Sequence, residues 1–247
     1  MTLKRKKALV KKNVIEGLDN AVNAFISRTL IFQDDAWTKN RCRAFVLQHR
    51  QNTRHRNSVL KLKVATNCPI WDIKLDIIDA CSREIIADHE YGGGKPHWQI
   101  LEDLGVQIGM DRGEIQNAKP SNATQLSWDA WSGLMTNSHW LLGLIGNTCS
   151  ERVNVPGYGE GNNKKLGWFG NVRGVWQEMW NLSDDDVGFF KLHTEADLEH
   201  SELGWRNVAN YAEDLNLEDE VVEACRRNLV VWENYFNGIC HLGDSFD

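Results

Sequence analysis

The chain has 247 residues, of which 42% are hydrophobic, enough to bury a sizeable core. Its formal net charge of −6 argues against nucleic acid as a partner. A membrane-spanning helix needs about 18 consecutive apolar residues, and no segment of the sequence approaches this length, so we expect no membrane association. With only four prolines and no long low-complexity run, the sequence predicts one domain over residues 1–247.

The six cysteines are scattered, and no two of them form a CxxC pair. Neither a zinc finger nor a disulfide framework is indicated, and free thiols in a reducing cytoplasm are the simplest account. The basic start, MTLKRKKALVKK, lacks the apolar block of a secretory signal. We therefore expect a cytoplasmic protein.

Apolar residues recur at helical spacing along nearly the whole chain. Helices are predicted, in chain order, over residues 13–32, 36–51, 53–65, from about 69 to the glycines at 92–94, 97–105, from 124 or 127 to about 151, 171–181, about 183–215 and 218–239. Asp34 or Asp35 is the expected cap of the second helix, and Pro69 breaks the third. With no alternating strand pattern and no repeat, the sequence predicts an all-α bundle of about seven to nine helices.

The segment FFKLHTEADLEHSELGW holds His193, Asp197 and His200 at spacings of four and three residues. Because one helical turn takes about 3.6 residues, the three side chains share one face. Two imidazoles and a carboxylate on one stripe suit a first-row transition metal such as iron. The alternative is a polar helix with two surface histidines.

A second informative segment, DHEYGGGKPHW, contains Glu90 and His97. On a straight helix these residues would lie about 10.5 Å apart, too far to bind one ion directly. A kink at the three glycines would fold them towards one centre, or they would serve two ions. The alternative is a helix that ends at Gly92, followed by a loop.

Glu151 follows the most apolar of the predicted helices. A carboxylate at such a position is either at the surface or held by a cation, and a metal is one such cation. The ligand-type residues are then three histidines and three carboxylates from three helices. Helical bundles place such sets in their interior, where two iron ions bind.

The segments EYGGGKPH and HTEADLEH, together with Glu151, resemble the haem-oxygenase-like di-iron oxidases and oxygenases. The resemblance spans most of the chain and implies a seven-helix haem-oxygenase-like fold, two non-haem iron ions and O2 as co-substrate. An external electron donor and a homodimer are further expectations. The implied metal ligands, one for one, are Glu90, His97, Glu151, His193, Asp197 and His200.

Eleven tryptophans are unusual for this length. Most are expected to fill the core, and an aromatic pocket is the alternative for those on the central helices. An amino-acid carboxylate would need a cation, and Arg152 and Lys191 lie closest in sequence to the expected ligands; Trp140 is a further candidate for the pocket wall. Together with the resemblance, these residues lead us to expect a small-molecule substrate, an α-amino acid with a bulky, tryptophan-like side chain. The resemblance implies that this substrate undergoes oxidative rearrangement or C–C cleavage, such as nitrile formation.

Other activities remain open from the sequence. Relatives on the same fold decarboxylate or desaturate fatty acids or oxygenate amines, and these substrates would also need an apolar pocket. A metal-free thiaminase-like hydrolase or a ligand-binding protein would use the same bundle, the hydrolase with one of the six cysteines as nucleophile. A further alternative is a helical scaffold without an active site, whose acidic and histidine residues lie at the surface.

Overall fold

The computed structural model describes residues 3–33 and 35–246, and of residues 3–10, 199, 200 and 203 it describes only the backbone. The described residues form twelve α-helices and no strand; an isolated bridge joins Asp88 to Lys95. The α-helices are α1 Leu3–Arg28, α2 Lys39–His55, α3 Leu62–Asn67, α4 Trp71–Ile85, α5 His97–Gln107, α6 Arg112–Asn117, α7 Asn122–Trp131, α8 Trp140–Thr148, α9 Gly161–Leu166, α10 Trp168–Trp180, α11 Gly188–Leu215 and α12 Glu218–Asp244.

The prediction of an all-α bundle is confirmed, and the count of helices exceeds the expected seven to nine. One of the three additional helices arises because a predicted helix is divided into α7 and α8, and the other two are the six-residue helices α6 and α9. Segments this short carry too little periodicity to be separated from the loops around them. Glycines and polar residues in 109–123 and 155–170 therefore suggested plain connections.

A π-helical turn at Arg56–Lys61 joins α2 to α3, so the two predicted helices are one continuous helix. Thr38 caps its start, because its hydroxyl accepts a hydrogen bond from the Arg41 amide. Of the expected caps, Asp35 does not cap the helix, and Asp34 lies outside the described residues. Single wide turns of this kind are frequent at functional sites, because they rotate the side chains that follow.

The helix predicted from 124 or 127 to 151 is instead two helices, α7 and α8. Ser121 caps α7 by accepting from the Thr124 amide, and a π-helical turn, Ser132–Thr136, ends it. The chain then turns, and α8 packs back against this turn so closely that a Cβ on Gly143 would lie 2.8 Å from the Met135 carbonyl oxygen. Both helices are apolar, so hydropathy alone did not reveal the turn between them.

The core is organised around α12, which packs against α1, α2, α7 and α8. Its inner face carries Trp232, Tyr235 and Phe236, each at most 4% exposed. The neighbouring long helix, α11, packs against α1, α8 and α10 and against the 3-10 turn at Glu151–Asn154. Within the described part of the chain, no helix is long and apolar enough to cross a membrane.

Candidate metal centre

Glu84 and His97 lie beside each other because the chain folds back on itself after α4. That helix ends at Ile85, and the loop returns through the Asp88–Lys95 bridge to His97, the first residue of α5. Gly93 and Gly94 adopt φ values of +59° and +82°, which glycine adopts without strain. The three glycines thus form the tight loop that brings His97 back to the end of α4.

His193, in α11, completes a group of three with Glu84 and His97. One ligand atom from each residue lies within 4.8 Å of the others, and both histidines are buried. The two imidazoles meet edge to face, with ring centres 4.8 Å apart. Two histidines and one carboxylate around a common point are the ligand set of many non-haem iron oxygenases.

The contact between His97 and Glu84 is close but is not a hydrogen bond in its geometry. Nδ1 of His97 lies 3.0 Å from Oε2 of Glu84, yet this buried nitrogen has no hydrogen-bond partner. The two groups form a buried ion pair when His97 is protonated, because the charge of Glu84 raises the pKa of His97. A cation between the imidazole and the carboxylate would satisfy both groups, so the residues present fit a metal ion.

The other nitrogen of each imidazole is held by an oxygen acceptor. Nε2 of His97 lies 2.9 Å from Oδ2 of Asp88, which is 1% exposed, and Nδ1 of His193 lies 2.8 Å from the Phe189 carbonyl oxygen. Because a carbonyl only accepts, Nδ1 of His193 carries the hydrogen and Nε2 carries the lone pair. Such outer partners orient metal-binding histidines and raise their basicity.

The charges in this group depend on one another. Burial lowers the pKa of His193 to about 4, helped by repulsion from His97, so His193 is neutral. Burial also opposes the charged form of His97, but Glu84 and Asp88 outweigh it and raise the pKa of His97 to about 9. Burial raises the pKa of Glu84, while the charges of His97 and Lys61 outweigh burial and hold that pKa below its ordinary value.

Glu90, expected to act with His97, lies outside this group. Its side chain is 51% exposed and pairs with Arg83 at 2.5 Å. The loop after Ile85 directs the chain outward at Glu90 before the glycines return it. The carboxylate beside His97 belongs instead to Glu84, which sequence reasoning missed. The spacing of Glu84 could have identified it, because Ile77, Cys81 and Glu84 follow the helical period of the buried face of α4.

Glu151 and Asp197 line the same cavity as Glu84 and His193. Glu151 accepts a hydrogen bond from the Lys61 ammonium at 2.9 Å. Asp197 is 4% exposed and accepts from Nδ2 of Asn154 at 2.6 Å. Burial and the nearby charge of Glu151 raise the pKa of Asp197 well above its ordinary value.

His200 follows Asp197 by three residues in α11. Its side chain lies outside the described part of the chain. The structure therefore brings together His97 and His193 with Glu84, and places Glu151 and Asp197 on the adjoining cavity wall. The role of His200 as a ligand stays a prediction.

The three residues expected to bind substrate do not appear among those that line this cavity. Arg152 pairs with Glu202 at 2.8 Å and donates to the Tyr158 hydroxyl. Lys191 is exposed on α11. Trp140 is buried and packs edge to face against Tyr211. Closeness in sequence to a metal ligand did not predict which residues line the cavity, because neighbouring side chains on a helix point in different directions.

The cavity beside the three ligand candidates has a volume of about 70 Å³. It is lined by His49, Asn52, Thr53, Arg56, Asn57, Lys61, Glu84, Ser150, Glu151, Asn154, Trp168, Phe169, His193, Asp197, Trp232 and Phe236. A cavity of about 150 Å³ holds one benzene ring. An indole side chain therefore enters this cavity only if the surrounding side chains move.

A helical bundle with a carboxylate and two imidazoles converging in its interior is typical of all-α metalloproteins. The model of a haem-oxygenase-like family, described as iron-containing redox enzymes, matches residues 43–233. The chain belongs to this family of iron-containing redox enzymes. No curated protein matches the chain.

Solved structures show the same fold. One of them is a domain of unknown function with a haem oxygenase-like fold from Shewanella denitrificans OS217. It is 17% identical, with a TM-score of 0.61, and the match covers 96% of this chain and 90% of that one. The haem-oxygenase-like fold expected from the sequence is confirmed, and so is the resemblance to iron-containing members.

Proposed function

We propose that this protein is a non-haem iron oxidase or oxygenase that uses O2 to oxidise a small organic substrate in the cavity beside Glu84, His97 and His193. The observation that carries the proposal is the convergence of these three ligand atoms, which lie within 4.8 Å of one another with both imidazoles buried. Mixed imidazole and carboxylate donors suit Fe(II). Membership in a family of iron-containing redox enzymes supports the same conclusion.

A second ion is part of the proposal. Asp197, Glu151 and His200 would bind it, with Glu84, His97 and His193 holding the first. Asp197 and Glu151 already lie on the wall of the shared cavity. Binding at Glu151 requires its carboxylate to leave Lys61, which now holds it at 2.9 Å. In the proposal, the Lys61 ammonium supplies the positive charge at Glu151 when no second ion is bound.

Iron, when bound, supplies the transfer of electrons to O2. The protein's own residues prepare the site: Asp88 holds Nε2–H of His97, and the Phe189 carbonyl holds Nδ1–H of His193, so that the opposite nitrogens face inward. Burial of both rings excludes bulk water and keeps His193 neutral. His97 gives up its Nδ1 proton when a cation takes its place.

Electron balance limits the reaction. Reduction of O2 to two water molecules consumes four electrons and four protons. A substrate that loses four electrons needs no other reductant, whereas a two-electron oxidation takes two electrons from an external donor. Nitrile formation or C–C cleavage of an α-amino acid is our first proposal, with fatty-acid decarboxylation and amine oxygenation as the alternatives.

A metal-free hydrolase is less well supported. All six cysteines are buried, and none of them is among the residues that line the cavity. Burial raises the pKa of Cys42 and of Cys81 to about 12, which disfavours the thiolate that a nucleophile needs.

The test is to load the protein with Fe(II), measure iron per chain, and record O2 uptake with a panel of α-amino acids and fatty acids. We expect His193→Ala to lose iron and substrate-dependent O2 uptake. Glu195→Ala, an exposed position on the same helix, is the matched control and should behave as the unaltered protein. Equal O2 uptake by His193→Ala, with circular dichroism showing an intact fold, would overturn the proposal.

A further inference from the structure

Arg56 is a buried cation on the wall of the cavity beside the candidate metal centre. It is the first residue of the π-helical turn that joins α2 to α3, and it is 3% exposed. Glu84 and His193 line the same cavity. Arg56 therefore shares a cavity wall with two of the three candidate metal ligands.

No carboxylate within the described residues pairs with Arg56. The two other buried lysine or arginine side chains of the described residues have such partners: Arg50 lies 2.7 Å from Glu102, and Lys61 lies 2.9 Å from Glu151. A buried charge without an opposite charge is costly and therefore rare in proteins.

The groups that do contact Arg56 are neutral. One guanidinium nitrogen donates to the Gly146 carbonyl oxygen at 2.5 Å, and another approaches Sδ of Met135 at 3.2 Å. The guanidinium carbon lies 4.7 and 4.8 Å from the ring centres of Trp131 and Trp232. These contacts hold the group in place, but none of them supplies a counterion for the positive charge.

Two carboxylates of the cavity wall already have partners. Glu151 is paired with Lys61, and Oε2 of Glu84 lies 3.0 Å from Nδ1 of His97. Burial lowers the pKa of Arg56 to about 10, so the guanidinium stays charged at neutral pH. Arg56 is therefore a charged side chain of the cavity wall that has no paired carboxylate among the described residues.

Other polar atoms of the wall also lack partners. The indole N–H groups of Trp168 and Trp232 have no acceptor, and Oδ1 of Asn57 has no donor. Asn57 follows Arg56 directly in the π-helical turn and is 4% exposed. Trp168, Trp232 and Asn57 all line the cavity, so its wall contains two hydrogen-bond donors and one acceptor that have no partner within the protein.

We propose that Arg56 binds the carboxylate of a short carboxylic acid, with Asn57 accepting a hydrogen bond from an amino or hydroxyl group of the same molecule. The proposal rests on the proposed function, in that this cavity is where the substrate binds. A guanidinium presents parallel N–H donors that match the two oxygens of a carboxylate. A volume of about 70 Å³ suits a molecule of the size of propionate or alanine rather than one with an aromatic ring.

The test uses the full chain as purified, with its metal content measured, and the same protein after treatment with a chelator. Propionate, L-alanine and the neutral isostere propionamide are titrated by calorimetry and by thermal shift. We expect propionate and L-alanine to bind and propionamide not to bind. Arg56→Met should weaken propionate binding about tenfold or more, because it removes a charge-assisted pair; Arg56→Lys should retain part of it.

Arg54→Met is the matched control, because Arg54 is exposed on the same helix two residues earlier. It should bind propionate as the unaltered protein does. Asn57→Leu should weaken L-alanine more than propionate. If Arg56→Met does not fold, the comparison of propionate with propionamide on the unaltered protein still decides. Equal binding of the two, no binding of either acid, or unchanged binding in Arg56→Met would overturn the proposal.

Failure of this proposal is distinguishable from failure of the proposed function. Binding to the chelator-treated protein reports on Arg56 without a metal. A protein that binds propionate there but takes up no iron would contradict the oxidase and leave Arg56 as an anion site. A protein that takes up iron but binds neither propionate nor L-alanine would contradict the Arg56 site and leave the proposed oxidase standing.

Discussion

Oδ2 of Asp88 lies 2.9 Å from Nε2 of His97 at the centre of the protein, and this contact fixes which side of the imidazole faces Glu84. The other oxygen of Asp88 accepts from the backbone amides of Glu90 and Tyr91, each at 2.9 Å. One buried carboxylate therefore shapes the glycine loop and orients a candidate metal ligand at the same time.

We expect Asp88→Asn to weaken metal binding about 10- to 100-fold, the range typical of lost outer partners of metal-binding histidines. The amide keeps the size of the carboxylate but loses its charge. Titration with Fe(II) or Co(II) measures the affinity. Asp79→Asn is the control, since Asp79 is exposed and pairs with Arg83 in α4. Equal affinities for the two variants would contradict the role of Asp88.

Substitution of Gly92 should damage the loop that returns His97 to Glu84. A Cβ at this position would lie 2.8 Å from both Cβ of Asp88 and the Lys95 carbonyl oxygen, and the backbone is too stiff to yield. We expect Gly92→Ala to destabilise the fold by about 1–3 kcal/mol, as overpacking does, and to weaken metal binding. Urea denaturation and metal titration measure the two effects.

The control for that substitution is Gly174→Ala in α10, where a Cβ meets nothing within 4 Å. Alanine there should be neutral or stabilise by about 0.5–1 kcal/mol, because glycine disfavours a helix interior. A Gly92→Ala protein as stable as this control, with full metal affinity, would show that the loop does not position His97.

The stability of the metal-free protein should fall as pH rises from about 6.5 to about 9. The folded protein raises the pKa of His97 from 6.5 to about 9, so the charged imidazole stabilises the fold fully below the lower value. That contribution is lost as His97 deprotonates on approach to the higher value. Thermal denaturation of the chelator-treated protein at pH 6, 7.5 and 9 measures this loss of stability. His97→Gln should remove much of this slope, and an unchanged slope would contradict the account.

Lys61→Met should destabilise the metal-free protein by about 3–5 kcal/mol, because it leaves the partly buried Glu151 carboxylate without its partner. If the Lys61 ammonium stands in for a second ion, added Fe(II) should restore more stability to this variant than to the unaltered protein. Lys63→Met, at an exposed position of α3, is the control. Thermal shifts with and without Fe(II) decide, and an equal response in all three proteins would contradict the second site.

Much of the fold was predictable because amphipathic periodicity persists over long segments such as α11 and α12. The turn between α7 and α8 was not, since both sides of it are apolar and the close approach of Gly143 to Met135 is a tertiary contact. The end of α3 before Pro69 was predictable, because proline removes a helix donor and restricts the residue before it.

The candidate site was predictable in part because some of its residues lie on one regular helix. His193 and Asp197 share a helix, where sequence spacing fixes the face, and both line the cavity. Glu90 and His97 are separated by a glycine loop, whose path depends on tertiary contacts that spacing does not encode. Arg56 was beyond sequence reasoning, because its lack of a carboxylate partner is a property of the folded interior.

The most direct test of the central claim compares the metal content of Glu84→Gln with that of Glu90→Gln. The two substitutions are chemically the same and lie six residues apart, one beside His97 and the other at the surface beside Arg83. Measured as iron per chain after loading and desalting, Glu84→Gln should lose iron and Glu90→Gln should keep it. Retention of iron by Glu84→Gln together with its loss from Glu90→Gln would contradict the account.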